Sequence, residues 1–391
     1  MVDVLLVIGL VVAGFVGYNI GGSTTGPAFG PAVGAGAISK VLAAGLMSVF
    51  FFVGAWTIGR RVVDTLGREL VTNTAIFTAE ANVAVLFFIG GALFVGNYAG
   101  VPASTSMTAV GAIAGMALAA GSLAWSVMGE IVMWWIVAPI IGFWVSGVIG
   151  RYFYPTLNRW FALRTTEGSL LTVDRSGLVP RVSRGPNTTR RELSGSVVVI
   201  LIGCVMAFAS GTSNIANAVA PLVGSDVIGM NHAIILGGVA VAVGAFTIAR
   251  RTLDTLGNDL TQLPLTAAIV VATVSATLVT LLSIIGIPAS FVIIATMSIV
   301  GLGWGRATRT TTVSDGVRGG RTGMSPGALA GDEPGEELPA IGEEEPEDLP
   351  TAADLFDPST TGRVILMQNV VPVLSTVGAF LTFRFVPIFG F

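Results

Sequence analysis

The chain has 391 residues, of which 53% are hydrophobic and only 11% are charged, and its formal net charge is −3. Water-soluble domains carry about 25% charged residues, so this composition excludes an ordinary soluble globular protein. We expect the lipid bilayer to be its main solvent, and no nucleic acid among its partners.

Long uncharged runs recur along the chain, the longest at 81–129 and 260–305. About 20 apolar residues suffice for one helical span, so each of these two runs predicts a pair of helices. The N-terminal run lacks the basic segment of a signal peptide, which favours a retained first span. We predict spans at 4–22, 41–58, 75–98, 103–122, 128–150, 195–213, 231–249, 264–285, 288–305 and 364–387.

An internal repeat relates the two halves of the chain. Residues 54–67 (GAWTIGRRVVDTLG) match residues 244–257 (GAFTIARRTLDTLG) at an offset of 190 (244 − 54). A later pair of prolines, Pro102 and Pro288, keeps the order at an offset of 186 (288 − 102). Each copy holds an odd number of spans, about five, so two copies joined in series face opposite ways. The sequence therefore predicts an all-α integral membrane protein of two inverted repeats, the architecture of many secondary transporters.

The repeat also sets the predicted domain boundaries, which separate three membrane segments from two loops. Arginines outnumber acids in the first loop, and the positive-inside rule places it in the cytoplasm. Counting spans puts the second loop, in which 332–357 hold eleven of the 23 acidic residues, on the same side of the cell membrane, and we expect it to be disordered. Lys40 is the only lysine among 20 basic residues, which favours a salt-loving microbe such as a haloarchaeon. The predicted domains are a first transmembrane repeat at 1–154, a basic linker at 155–194, a second repeat at 195–306, an acidic loop at 307–360 and a final helix at 361–391.

The sequence lacks the residues that most membrane enzymes need. His232 is the only histidine and Cys204 the only cysteine. Metal-dependent hydrolysis and Ser-His-Asp catalysis therefore both lack residues that they require. The phosphate-binding loop of ATPases is also absent from the sequence. We therefore expect neither an enzyme nor a cofactor, with sodium or a proton as the coupling ion.

Small hydroxyl and amide side chains interrupt the apolar runs in both copies. The stretches 21–40 and 211–230, rich in Gly, Pro, Ser and Thr, predict broken or re-entrant helices lining a cavity. Proline favours the first turn of a helix, so Ser104 and Ser290 are expected at helix starts. Backbone N–H groups at a helix start attract anions, and two such starts predict an oxyanion site near the midplane. The alternative is that these residues only pack closely against neighbouring helices.

At these motifs the chain resembles the PiT family of inorganic phosphate transporters. Members carry the motifs GANDVANA and PVSTTH in each half. Residues 208–221 (FASGTSNIANAVAP) lie ungapped on the second-half version of the first motif, whereas 102–106 (PASTS) and 135–139 (WIVAP) resemble first-half motifs. The resemblance implies an anion transporter, and it assigns sodium and phosphate binding to the motif's Asn-Asp pair. That pair falls on Ser23-Thr24 and Ser213-Asn214, so neither motif carboxylate is present.

Two sets of candidate site residues follow from the helix starts and the resemblance. Glu80 joins the second set because an ionisable group inside a span is a functional candidate, although the helix end could also be drawn one turn too long. The predicted substrate-binding residues are Ser104, Thr105, Ser106, Ser213, Asn217 and Ser290. The predicted cation-binding residues are Ser23, Thr24, Glu80, Ser213 and Asn214.

The predicted function is symport of inorganic phosphate, or a similar oxyanion, with sodium or protons. A homodimer is a candidate assembly. Two alternatives stay open: a sulfate permease of the same fold, and a binding or regulatory membrane subunit that does not transport. A transporter requires a polar cavity between the two copies, whereas a scaffold would fill that space with apolar side chains.

Overall fold

The computed structural model describes residues 4–34, 36–98, 104–161, 171–174, 181–184, 190–259, 265–308 and 358–386. These residues are almost entirely helical, which confirms the predicted all-α class; the exception is a short antiparallel pair, β1 (Leu171–Asp174) and β2 (Arg181–Arg184), within the linker. Half of the linker and nearly all of the predicted acidic loop lie outside the described residues. The predicted domain boundaries stay predictions.

The two copies contain corresponding helices in the same order, although the described residues form seven helices in the first copy and five in the second. The first copy comprises α1 (Val4–Gly34), α2 (Lys40–Trp56), α3 (Gly59–Asp64), α4 (Ala79–Tyr98), α5 (Thr105–Ala119), α6 (Trp125–Val148) and α7 (Tyr154–Phe161). The second comprises α8 (Arg190–Gly224), α9 (Met230–Asp259), α10 (Leu265–Ile284), α11 (Phe291–Ala307) and α12 (Pro358–Phe385). Two π-helical turns, Thr65–Glu69 and Ile149–Phe153, follow α3 and α6, and a 3₁₀ turn spans Thr74–Ile76.

Six helices within the described residues are long and apolar enough to cross a membrane. A seventh span is added if α2 and the following segment, bent by 63°, are taken as one broken span. Large apolar side chains such as Val11, Phe87 and Ile136 are more than half exposed on the outside of the bundle, as expected where lipid is the solvent. The structure thus confirms a multi-pass membrane protein.

The predicted breaks at 21–40 and 211–230 are wrong for most of their length. Helix α1 continues through Pro27 and Pro31, and α8 continues to Gly224. Transmembrane helices tolerate proline because neighbouring helices and Ser or Thr side chains satisfy the freed backbone groups. The hydroxyls of Ser23 and Thr24 are satisfied within α1 itself, since both donate to the carbonyl of Ile20, at 3.1 and 2.7 Å.

Glycines bring the helices of one copy into backbone contact with those of the other. A Cβ added at Gly54 of α2 would overlap the carbonyl oxygen of Phe208 in α8, and one added at Gly244 of α9 would overlap that of Tyr18 in α1. Both pairs of positions differ by 190 (244 − 54 and 208 − 18). The sequence repeat is therefore also a repeat of packing, in which small residues permit close helix approach.

This exchange of partners organises the whole bundle. Helix α1 packs mainly against α9, and its counterpart α8 packs against α2; α6 packs on α11, and α12 on α5. Most of the interhelical contact thus joins one copy to the other. The arrangement places the centres of α1 and α8 next to the beginnings of α5 and α11.

Candidate functional site

The predicted helix starts lie where the sequence placed them. Ser104 caps α5, its Oγ accepting from the backbone N–H of Met107 at 3.3 Å, and Ser290 caps α11 in the same way through Ile293 at 3.4 Å. The first N–H groups of each helix lack intrahelical acceptors. Both helices therefore begin with free backbone donors inside the bundle.

Asn214, in the middle of α8, connects this helix to the beginning of α5. Its Oδ1 accepts from the Thr105 hydroxyl at 2.6 Å and from Asn217 Nδ2 at 3.1 Å, and its Nδ2 donates to Ser210 Oγ at 3.0 Å. All four side chains are at least 91% buried. Their mutual hydrogen bonds hold the Asn214 amide in one orientation.

A second set of hydrogen bonds joins the same two helices to the segment before α11. Ser213 Oγ donates to the Ala289 carbonyl and accepts from the Ala289 N–H, both at 3.0 Å. Ser106 Oγ lies 3.0 Å from the same carbonyl and 3.3 Å from Asn214 Oδ1. The neighbouring carbonyl of Pro288 accepts from the indole N–H of Trp135 at 2.8 Å, so α6 also fixes the approach to α11.

A cavity opens beside this network, between α1, α8 and the beginnings of α5 and α11. It holds about 30 Å³ of space for the centres of water-sized molecules, which is room for about two waters. Its walls carry six hydroxyl or amide side chains and no charged one. The lining residues are Ser23, Thr24, Pro27, Ala28, Thr105, Met206, Ser210, Asn214, Ser290, Phe291 and Val292.

The two copies contribute unequally to this cavity. At the 190-residue offset Thr24 corresponds to Asn214 and Pro27 to Asn217; at the 186-residue offset Thr105 corresponds to Phe291. The combination of α8 with α5 is therefore rich in amides and hydroxyls, whereas the equivalent combination of α1 with α11 is largely apolar. One side of the cavity is better equipped to bind a polar ligand than the other.

One acceptor in the polar half has no partner. Asn217 Oδ1 is fully buried and forms no hydrogen bond, although the Nδ2 atom of the same amide is bonded to Asn214. A buried acceptor without a donor is unfavourable, and a bound cation or a donor on a ligand would satisfy it. Among the described residues, no cluster of three or more His, Cys, Asp or Glu side chains exists that would hold a metal ion.

The structure brings together all the predicted site residues except Glu80. Ser23, Thr24, Thr105, Asn214 and Ser290 line the cavity, and Ser104, Ser106, Ser213 and Asn217 are in the buried shell around it.

Glu80 lies at the start of a span instead of well inside it, because α4 begins at Ala79 and places it in the first turn. Its near neighbour Asn82 contacts Ser225 at 2.8 Å. Ser225 is eleven residues beyond Asn214, or about 16 Å along a helix of 1.5 Å rise per residue. Glu80 therefore lies away from Asn214 and does not line the cavity, and its role as a cation ligand stays a prediction.

Two participants were missed by the sequence reasoning. Ser210 precedes Asn214 by four residues, a spacing that places both on one helix face, so its contribution was visible in principle. Ala289 acts only through its backbone N–H and carbonyl. A role of the backbone cannot be recognised from the side chain, and only the preceding proline, Pro288, pointed to this position.

Comparison with known proteins identifies the family and the fold of the chain. The sequence pattern of the Phosphate transporter family matches residues 20–321. The sulfate permease CysP of Bacillus subtilis is 30% identical over 74% of each chain. A Chlamydia pneumoniae protein named "Putative phosphate permease" is 24% identical over 79% of this chain and 92% of its own. A solved structure, the sodium-dependent phosphate transporter, superposes with a TM-score of 0.67 at 16% identity and covers 97% of this chain and 98% of its own.

Proposed function

Because the chain belongs to the phosphate transporter family, we propose that it moves inorganic phosphate across the membrane together with sodium, by alternating access around the central cavity. The family consists of transporters, which confirms that the chain is not an enzyme. Proton coupling and sulfate as substrate are the alternatives.

The main support for the proposal is that two helices, α5 and α11, both begin at one uncharged cavity. Thr105 is the first residue of α5, and Ser290, Phe291 and Val292 form the beginning of α11; all four line the cavity. Backbone N–H groups and the helix dipole stabilise an anion there without a permanent positive charge. A neutral site also lets the anion leave, because transport requires moderate binding.

The polar half of the site favours a cation bound next to the anion. Amide, hydroxyl and carbonyl oxygens of Asn217, Asn214, Ser213 and Ala289 lie together there, and oxygen is the ligand atom that hard cations prefer. Since no lining residue is charged, neither ion is neutralised by the protein. Each ion would then bind better when the other is present, and such reciprocal coupling is the thermodynamic basis of symport.

Sodium suits this site better than a proton. The lining residues are hydroxyl, amide and apolar groups, none of which changes protonation near neutral pH. Proton coupling would therefore require phosphate itself to carry the proton.

The choice between phosphate and sulfate depends on hydrogen-bond donors. Inorganic phosphate retains a proton near pH 7, which it can donate to an acceptor such as Asn217 Oδ1, whereas sulfate offers acceptors only. The buried acceptor of Asn217 supports a ligand that brings a donor or a cation. The 30% identity to a sulfate permease keeps sulfate as the second candidate.

The polar lining also argues against a scaffold without transport, which would fill this space with apolar side chains. The proposal also includes an inverted orientation of the two copies, a cytoplasmic position of both loops and a homodimer. The reciprocal packing of α1 on α9 and of α8 on α2, as expected for copies related by a two-fold axis, supports the first of these, and the arginine-rich linker supports the second.

Uptake of radiolabelled phosphate into proteoliposomes tests the proposal. We expect uptake driven by an inward sodium gradient, weaker uptake under a proton gradient alone, and little competition by excess sulfate. Sulfate uptake that exceeds phosphate uptake would overturn the choice of substrate. Absence of uptake of either anion, with folded protein in the vesicles, would favour the non-transporting subunit.

A further inference from the structure

We infer that the end of the bundle where α6 and α11 finish holds a second phosphate-binding site, which takes the phosphate group of an anionic phospholipid. This site is separate from the central cavity. Its central residue is Arg151, in the π-helical turn that follows α6.

The guanidinium of Arg151 is incompletely used. One terminal nitrogen donates to Thr308 Oγ1 at the long distance of 3.5 Å, and the Nε–H is buried without an acceptor. Neither ion pair within the described part of the chain includes Arg151. Positive charges near helix C-termini are generally favoured, which explains an arginine here but leaves its Nε–H unsatisfied. A phosphate oxygen would supply the missing acceptor, because guanidinium groups bind phosphate through two parallel N–H groups.

A second arginine adds positive charge to the same place. Arg306, in the last turn of α11, is 2% exposed, and its guanidinium carbon lies 4.1 Å from the centre of the Tyr154 ring. Tyr154 begins the helix directly after the Arg151 turn, and Thr308 follows Arg306 by two residues. Two cations thus occupy one small region, where an anion would lower their mutual repulsion.

The surroundings favour a lipid over free phosphate. Trp144 and Trp304 lie edge to face with ring centres 5.8 Å apart and are 54% and 41% exposed, and Tyr152 is 39% exposed. Exposed Trp and Tyr side chains mark the boundary between lipid tails and water. Helix α6 leads on to the arginine-rich linker, which the positive-inside rule places in the cytoplasm, where the leaflet carries anionic lipids.

The test measures thermal unfolding of the full chain in detergent with added phosphatidylglycerol or phosphatidylcholine. We expect phosphatidylglycerol to stabilise the wild type at lower concentration. In Arg151→Gln its apparent affinity should fall about tenfold, the effect of losing roughly one charge-assisted hydrogen bond. The matched control is Arg384→Gln, which removes an exposed arginine from the last turn of α12 and should leave that affinity unchanged.

Two further arms make the test decisive. Arg151→Lys keeps the charge but not the paired N–H groups, so it should lose less than Arg151→Gln, and it replaces that variant if Arg151→Gln does not fold. Inorganic phosphate is added without lipid at constant ionic strength. Equal effects of the two lipids, or equal losses in Arg151→Gln and the control, would overturn the inference. A phosphate response that depends on Arg151, with no lipid response, would assign the site to free phosphate and reject the lipid.

Discussion

Asn214→Asp introduces a carboxylate at the centre of the polar half-site. The present amide oxygen already accepts hydrogen bonds from Thr105 at 2.6 Å and Asn217 at 3.1 Å. A carboxylate keeps both bonds and strengthens them, because charge-assisted hydrogen bonds are about twice as strong as neutral ones. Ser210, which now accepts from the Asn214 Nδ2 at 3.0 Å, can rotate its hydroxyl and donate instead. The substitution thus adds charge without disrupting the network.

The added charge should strengthen cation binding considerably. Two opposite unit charges about 4 Å apart attract by about 4 kcal/mol at an effective dielectric constant of about 20. Burying the carboxylate costs several kcal/mol, of which the hydrogen-bond donors offset a large part. We expect a net gain of about 1.4 kcal/mol, which is a tenfold lower sodium concentration for half-maximal uptake. Phosphate affinity should fall or stay constant, since the carboxylate repels it.

The assay is phosphate uptake into proteoliposomes over a series of sodium concentrations. Asn82→Asp provides the matched control: this asparagine is also buried but contacts Ser225 near the end of α8. An aspartate there lies in the first turn of α4, where the helix dipole tolerates it, and the sodium dependence should not change. An unchanged sodium dependence in active Asn214→Asp, or an equal shift in the control, would refute the placement of the cation.

Three further substitutions test the packing and the helix caps. Ser213→Ala removes the acceptor of the Ala289 N–H and one of the two donors to the Ala289 carbonyl. It should destabilise the protein by about 1–2 kcal/mol and reduce phosphate uptake, measured by denaturant unfolding in detergent and by vesicle uptake. Gly244→Ala places a methyl group against the carbonyl of Tyr18 and should lower the yield of folded protein by size-exclusion chromatography, whereas Gly14→Ala, with open space around it, should be neutral. Ser104→Ala removes a helix cap at a cost of about 1 kcal/mol and should weaken phosphate uptake beyond this modest destabilisation; wild-type uptake kinetics would exclude Ser104 from the site.

The repeat made the fold predictable from the sequence. The match of 54–67 with 244–257 fixed the correspondence of the two copies, and each predicted span falls on a helix of the structure. The sequence-based prediction was wrong at 21–40 and 211–230, where Gly and Pro predicted breaks in the helices. In water those residues disrupt helices, but inside a membrane bundle glycine is needed for close contact and the freed backbone groups find other partners. Composition alone does not distinguish a broken helix from a close contact between two helices.

The sequence predicted which residues belong to the candidate site better than it predicted which of them contact each other. The serines after Pro102 and Pro288 were recognised because proline marks helix starts, and both cap their helices. That Asn214 would bond to Thr105 across 109 positions of sequence was not accessible, since one sequence contains no information on which faces of α5 and α8 meet. Glu80 lies nearer the helix end than predicted, because α4 begins at Ala79, four residues after the predicted start of the span at 75.

The exchange of helix partners between the copies has a consequence for biosynthesis. Gly54 of the first copy contacts a carbonyl that is translated more than 150 residues later, and at about 5–20 residues per second this delay is about 8–30 seconds. During that time the helices of the first copy are in the bilayer with only lipid against their glycine faces. The first copy is thus expected to remain loosely assembled until its counterpart is inserted. A chain that stops after α7 should accordingly be a substrate for membrane proteases rather than half of a working protein.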